Sequence, residues 1–133
     1  MKTVKSWALV ALSILTAGLV GGCGGGLSEV TGKVTLDGRP VRGLEVRFEP
    51  NDPSIGTTAI GYTQADGTYR LHYPGDKIGA PAGEYTVHIS GGESGGEADL
   101  PPVRVAAKYN SASKLTATVK SGTNTFDFDV TSK

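Results

Sequence analysis

Cys23 is the one cysteine in a chain of 133 residues, and a lone thiol admits nucleophilic attack, redox exchange or covalent attachment. Its neighbours select attachment. Leu19, Val20, Gly21 and Gly22 precede it, an aliphatic-then-small run that leaves the thiol on an extended, unhindered segment. Met1 to Ser6 carries Lys2 and Lys5 without an acid, and Trp7 to Val20 is an uncharged, mostly apolar run of 14 residues. As a helix that run covers about 21 Å at about 1.5 Å per residue, short of the roughly 30 Å hydrocarbon core, so it reads as the apolar part of an export signal and not as a permanent span. The alternative, ordinary secretory cleavage leaving a free thiol, does not explain why the only cysteine stands where the apolar run ends.

The other reactive groups are weaker candidates. Ser94 sits in Gly92 Glu93 Ser94 Gly95 Gly96, the G-x-S-x-G spacing of a nucleophile elbow, which needs a helix after the serine and a histidine later in the chain. Residues 97–102 end in Leu100 Pro101 Pro102 and open no helix, and both His72 and His88 come before the serine, so a serine hydrolase is only a remote reading and no catalytic residue is expected. His72 and His88 fall at solvent-facing parity on neighbouring expected strands but lack a third metal ligand, and HExxH and CxxC patterns are absent, so no metal site is expected. Glu93, Glu97 and Asp99 make an acidic loop without the alternate-position spacing of a dedicated calcium loop. Asp127 and Asp129 share one strand face, where solubility and edge protection are the expected roles. Lys108, Tyr109 and Asn110 stand apart, because neither turn chemistry nor alternation calls for that order. Tyr109 is expected to plug one end of the fold, and a binding loop is the alternative. With 13 basic and 13 acidic residues, the chain lacks the basic field of a nucleic-acid binder, and a single cysteine excludes an internal disulfide or a cysteine zinc cluster. No cofactor is implied.

These groups must be held by strands. From Ser28 onward no window has the i, i+3, i+4, i+7 spacing of a helix, while apolar residues recur at period two between turn signals. Val30, Val34 and Leu36 share one face, and Asp37 Gly38 Arg39 Pro40 then turns the chain into a hairpin partner with Leu44, Val46 and Phe48 inward. A third strand spans about 57–63. Asp66 and Gly67 mark a tight hairpin turn, because Gly67 supplies the positive φ such a turn requires. Tyr69, Leu71 and Tyr73 then alternate as one strand, Tyr85, Val87 and Ile89 as the next, and Val103 with Val105 forms a short edge strand. Leu115, Ala117 and Val119 pair through a Ser121 Gly122 turn with Phe126, Phe128 and Val130 as a closing hairpin. The expectation is an all-β, seven-stranded antiparallel β-sandwich. Its organisation is a signal segment over 1–22, the cysteine and a glycine tether over 23–27, and one domain over 28–133.

Two resemblances carry this further. Leu19 Val20 Gly21 Gly22 Cys23 resembles the lipobox of bacterial lipoproteins. That implies a diacylglycerol thioether on Cys23, cleavage before it, and a further acyl chain on the freed amine, together a stable bilayer anchor. The remaining 111 residues carry 11 basic and 13 acidic groups. Gly24, not an acid, follows the cysteine, which by the enterobacterial sorting rule implies the outer membrane. Val30 Thr31 Gly32 Lys33 Val34, Asp37 Gly38 Arg39 Pro40 Val41, Thr63 Gln64 Ala65 Asp66 Gly67 Thr68 Tyr69 and Pro81 Ala82 Gly83 Glu84 Tyr85 Thr86 Val87 resemble the signatures of carboxypeptidase regulatory-like domains. Ala107 Lys108 Tyr109 Asn110 and Asn124 Thr125 Phe126 Asp127 Phe128 are similar to small planctomycete lipoproteins with that domain. The resemblance implies a transthyretin-like sandwich without the separate catalytic domain of the metallocarboxypeptidases. Gln64 departs from the family's usual aspartate and weakens any calcium reading. The implied function is a membrane-anchored envelope lipoprotein acting as a non-catalytic structural or protein-interaction module, with glycan- or calcium-dependent adhesion as the alternative. The implied partners are the lipid bilayer, through Cys23, and an envelope protein or glycan, with no nucleic acid.

Overall fold

Period-two alternation becomes burial directly in the first strand, β1 (Glu29–Leu36), where Val30, Gly32, Val34 and Leu36 are buried and Thr31, Lys33 and Thr35 face out. The computed structural model describes residues 26–91 and 103–133, so the expected signal segment, Cys23 and the acidic loop with Glu93, Ser94, Glu97 and Asp99 lie outside the described residues. After β1 come β2 (Arg39–Pro40), β3 (Leu44–Pro50), β4 (Ala59–Tyr62), β5 (Thr68–Arg70), β6 (His72–Tyr73), β7 (Lys77–Ile78), β8 (Gly83–Gly91), β9 (Leu115–Val119), β10 (Thr123–Thr125) and β11 (Phe128–Val130). The described residues contain no α-helix, only single 3-10 turns at Pro53–Ile55 and Ala107–Tyr109.

Two sheets form a sandwich. The larger runs β7-β6-β4-β3-β8-β9 and is antiparallel throughout. The smaller is built around β1, which pairs antiparallel with β2 and β5 and parallel with β10 and β11. Phe48 of β3 stands at the centre of the core, fully buried, with ring centroids of Tyr85, Phe126 and Phe128 at 5.7, 5.8 and 6.5 Å. Phe126 and Phe128 come from the opposite layer, so aromatic contact ties one sheet to the other. Between β10 and β11 the chain leaves the ladder. Phe126 donates its N–H to Thr31 O, Tyr69 donates its hydroxyl to Phe126 O at 2.7 Å, and a Cβ at Gly32 would stand 1.8 Å from that carbonyl. Only glycine admits so close an approach.

The all-β sandwich is as expected, and so are its inward faces, but several pairings are not. β3 is not the hairpin partner of β1. Only Arg39 and Pro40 return along β1, and the chain then crosses to the other layer through a clasp in which the buried Thr63 hydroxyl donates to Val41 O and accepts from Leu44 N at 2.9 Å. The run 68–73 is two strands, because β5 pairs with β1 while β6 pairs with β4. Leu71, between them, donates to Val30 O at 3.0 Å and accepts from Gly79 N at 2.9 Å, touching both layers. The closing hairpin does not form either. β9 extends the larger sheet beside β8, and the turn at Gly122 (φ +102) carries the chain across the end of the sandwich to run parallel with β1. Val103 and Val105 join no ladder. The changed pairings have one cause: both sheets share the inner face, so alternation fixes which side chains are buried and not which sheet a strand joins.

Candidate functional site

The Asp66–Gly67 turn has the local chemistry its sequence calls for. Gly67 has φ +83 and bonds Gln64 O, while Gln64 N bonds Thr68 O, a tight turn closed by one pair before its flanks part for different sheets. The Asp66 Oδ1 accepts the Thr68 hydroxyl at 2.6 Å and the Thr68 N–H at 3.0 Å, and these bonds hold its carboxyl below the usual aspartate range. Asp37, at φ +53, accepts from the hydroxyl and the N–H of Ser132, which lowers its carboxyl in the same way. Asp127 accepts the Lys33 N–H at 2.9 Å and Asp129 accepts the Thr35 hydroxyl. The pair thus stitches the last strands to β1, a bonded role in place of the expected solvated one.

Lys108, Tyr109 and Asn110 lie where β8 runs out of partner. β9 covers β8 only between Gly83 and Val87; beyond that the bare edge is served by side chains of the connector. The Ser113 hydroxyl donates to Val87 O, and Asn110 Nδ2 faces the carbonyls of Ile89, Val105 and Ala106 at 3.5, 3.4 and 3.3 Å. Asn110 therefore caps a sheet edge. Tyr109 is half-buried against the core, with its hydroxyl accepting from Thr131 at 3.4 Å and Lys108 Nζ 5.2 Å from its ring centroid.

The two histidines are not neighbours. β4 and β3 separate β6 from β8, so His72 and His88 do not form a pair. His72 is exposed as expected, but the His88 side chain is only 16% exposed, its Nδ1 2.7 Å from Asn110 O and its Nε2 3.0 Å from Glu49 Oε2. The Nδ1 contact holds the Asn110 turn against β8, while Nε2, near Glu49 of β3, makes no hydrogen bond. Among the described residues no three His, Cys, Asp or Glu side chains converge on a metal-sized site.

Among the described residues, hollows are open in three places, one of about 650 Å³ beside the Asn110 turn, lined by Glu45, Arg47, Ser90, Arg104, Asn110 and Ser111 among others. Over β1 and β5 of the smaller sheet and reaching His72 of β6, a hollow of about 660 Å³ is lined by Thr31, Lys33, Arg70, His72, Thr125 and Asp127, among others. Over the β4–β6 margin of the larger sheet, a hollow of about 380 Å³ is lined by Thr58, Ile60, Tyr62, His72, Tyr73 and Pro74. The Tyr62 hydroxyl donates to Glu45 at 3.4 Å, and partial burial, then Glu45, pushes its pKa above the ordinary tyrosine value. The sequence analysis did not single this margin out, although Ile60 and Tyr62 fall at outward parity in β4.

The chain is similar in structure to a DUF3823 family protein from Parabacteroides merdae, with TM-score 0.50 and 15% identity over 77% of this chain and 45% of that one. The likeness is one of fold. A DUF3823 family protein from Bacteroides ovatus gives 0.48 and 17%, over 77% and 44%, and the plantain pollen allergen Pla l 1 gives 0.40 and 18%, over 81% and 95%. The chain spans less than half the length of either DUF3823 protein. No protein-family model matches it, and no curated protein does.

Proposed function

We propose that this chain is an envelope lipoprotein anchored through acylated Cys23, whose folded part is a non-catalytic, carboxypeptidase regulatory-like module that supports or binds other envelope components. The observation that carries the non-catalytic half is where the polar groups go. His88 holds Asn110, Asp37 and Asp66 tie turns, Asp127 and Asp129 fasten β1, and Thr63 clasps the crossover between sheets. Groups bonded in this way to their own chain hold the fold and are not poised for a substrate.

Export, with a bias toward the outer membrane, rests on the lipobox resemblance and on Gly24. Intact mass of protein extracted from envelope membranes tests it: residues 23–133 plus a diacylglyceryl thioether is expected, and an unmodified thiol overturns the anchor. Hydrolase turnover that disappears on Ser94→Ala overturns the non-catalytic reading. The hydroxyl- and charge-lined hollow over β1 favours a second reading, binding of an envelope glycan through Thr31, Lys33 and Arg70. Calorimetry with cell-wall oligosaccharides decides it, and flat traces remove it.

A further inference from the structure

Three strands, β4, β6 and β7, close one margin of the larger sheet, and their outward side chains are largely apolar. The registers Ile60 to His72 and His72 to Ile78 put Ile60, His72 and Ile78 in one cross-strand row, with Tyr62 two residues further along β4. Tyr62 and Ile78 are each 49% exposed, and Glu45, which accepts the Tyr62 hydroxyl, marks the polar rim.

The chain comes into the fold at this margin. Ser28 pairs with Ala80, N–H to O in both directions at 2.8 and 2.9 Å, two residues beyond Ile78. Cys23 stands five residues before Ser28. A fully extended chain spans at most about 3.6 Å per residue, so the Cys23 backbone lies within about 18 Å of Ser28, and Ala80 to Ile78 adds about 7 Å.

We propose that, with Cys23 acylated, the β4–β6–β7 face rests on the bilayer surface, Ile78 against the acyl boundary and Tyr62 among the headgroups. This rests on the lipid-anchor reading. The size of the patch decides between occupants. Two half-exposed side chains offer roughly 200 Å², taking about 150–250 Å² for a whole aromatic side chain, far below the roughly 800 Å² each partner gives to a stable protein interface. A lipid surface needs no such area, because the short tether makes the contact intramolecular, at high effective concentration. Tyrosine is at home at that depth, since its ring is apolar and its hydroxyl stays wet.

Processing removes Trp7, the only tryptophan, so one substitution installs a single reporter. Acylated protein carrying Ile78→Trp, Tyr62→Trp or, on β10 of the smaller sheet, Thr125→Trp is reconstituted in phosphatidylcholine vesicles brominated near the top of the acyl chains. Roughly twofold quenching is expected at 62 and 78, where an interfacial side chain reaches about 5–10 Å into the boundary, with little at 125. Equal quenching at all three positions, or none, overturns docking. Emission at 62 that answers instead to cell-wall oligosaccharide, or to the protein-to-lipid ratio, overturns it in favour of a sugar or a second copy. Intact mass of the same preparation separates the two failures. A bare thiol on Cys23 overturns the anchor and this inference with it, whereas an acylated protein without quenching at 78 overturns the docked face alone.

Discussion

Replacing Asn110 measures how much of the domain's stability rests on capping one sheet edge. Its amide has two N–H groups facing three carbonyls at 3.3, 3.4 and 3.5 Å, so at most two bonds form at once, and both are long. Each contributes about 0.5 kcal/mol, toward the low end for a neutral hydrogen bond, and the side-chain oxygen accepts the Ser111 N–H for about as much again. Truncation also leaves the part-buried Ile89 carbonyl with water as its only replacement partner. Asn110→Ala should therefore cost about 1.5–2.5 kcal/mol, which lowers Tm by about 10 °C in a domain of this size. Asn110→Asp keeps the shape and the acceptor but removes both donors and aims a carboxylate at carbonyl oxygens, so it should cost more, about 3 kcal/mol. Urea unfolding followed by circular dichroism gives both values, and amide exchange along β8 should speed up from Ile89 to Gly91 before it does at Tyr85. An aspartate variant as stable as the parent, or an alanine variant within about 0.5 kcal/mol of it, refutes the edge-cap argument.

Other consequences follow from single contacts. Gly32→Ala places a methyl 1.8 Å from Phe126 O and should destabilise by about 3 kcal/mol or more, whereas Gly122→Ala meets open space at φ +102 and should cost only about 1 kcal/mol; equal melting shifts would contradict the close approach under β1. Hydrogen bonds lower the folded-state carboxyls of Asp37, Asp52 and Asp66 from the ordinary 3.8. Their contribution is therefore present above that value and lost as pH falls through the lower folded values, so the acid limb of Tm against pH should flatten in Asp66→Asn. At the alkaline end, burial and then Tyr73 push Tyr85 up to about 12, and burial and then Asp127 raise Tyr69 further. Stability these tyrosines supply is complete below about 10, the unfolded value, and declines as pH rises toward the folded one. Tyrosinate absorbance from Tyr85 should thus emerge together with loss of the β-sheet circular dichroism signal, and separate transitions would tell against the burial argument.

The inward faces of the fold are legible in the sequence because period two is a direct consequence of burial: Val30, Val34, Leu44, Val46, Phe48, Val87 and Ile89 are all buried where alternation puts them. Sheet membership is not legible. Leu71 points inward whichever layer its strand joins, so nothing in Tyr69–Tyr73 announces that the ladder changes partner beside it, and the same ambiguity makes Leu115–Val130 read as a hairpin when its halves sit in different sheets. Turn chemistry at Gly67 and Gly122 predicts a change of direction and says nothing of which layer receives the chain. Asn110 belongs to the same class. Its role depends on where β9 begins, and β9 begins at Leu115 because Ser113 and Asn110 already serve the edge it leaves bare. Ile60 and Tyr62 were within reach of sequence reasoning, since apolar residues at outward parity are the informative kind of exposure.

If Cys23 carries the lipid, the placement of β1 acquires a mechanical meaning. The tether leads, through the Ser28–Ala80 bridge, into the strand that pairs with four others. Tension along the anchor then loads β1 lengthwise against the parallel ladders of β10 and β11, where many hydrogen bonds must shear together, in place of peeling an edge strand one pair at a time. The Asp127 and Asp129 bonds to Lys33 and Thr35 lie across that same seam. The seam that would resist detachment is thus reinforced by the side chains that, by sequence alone, had solubility and edge protection to explain them.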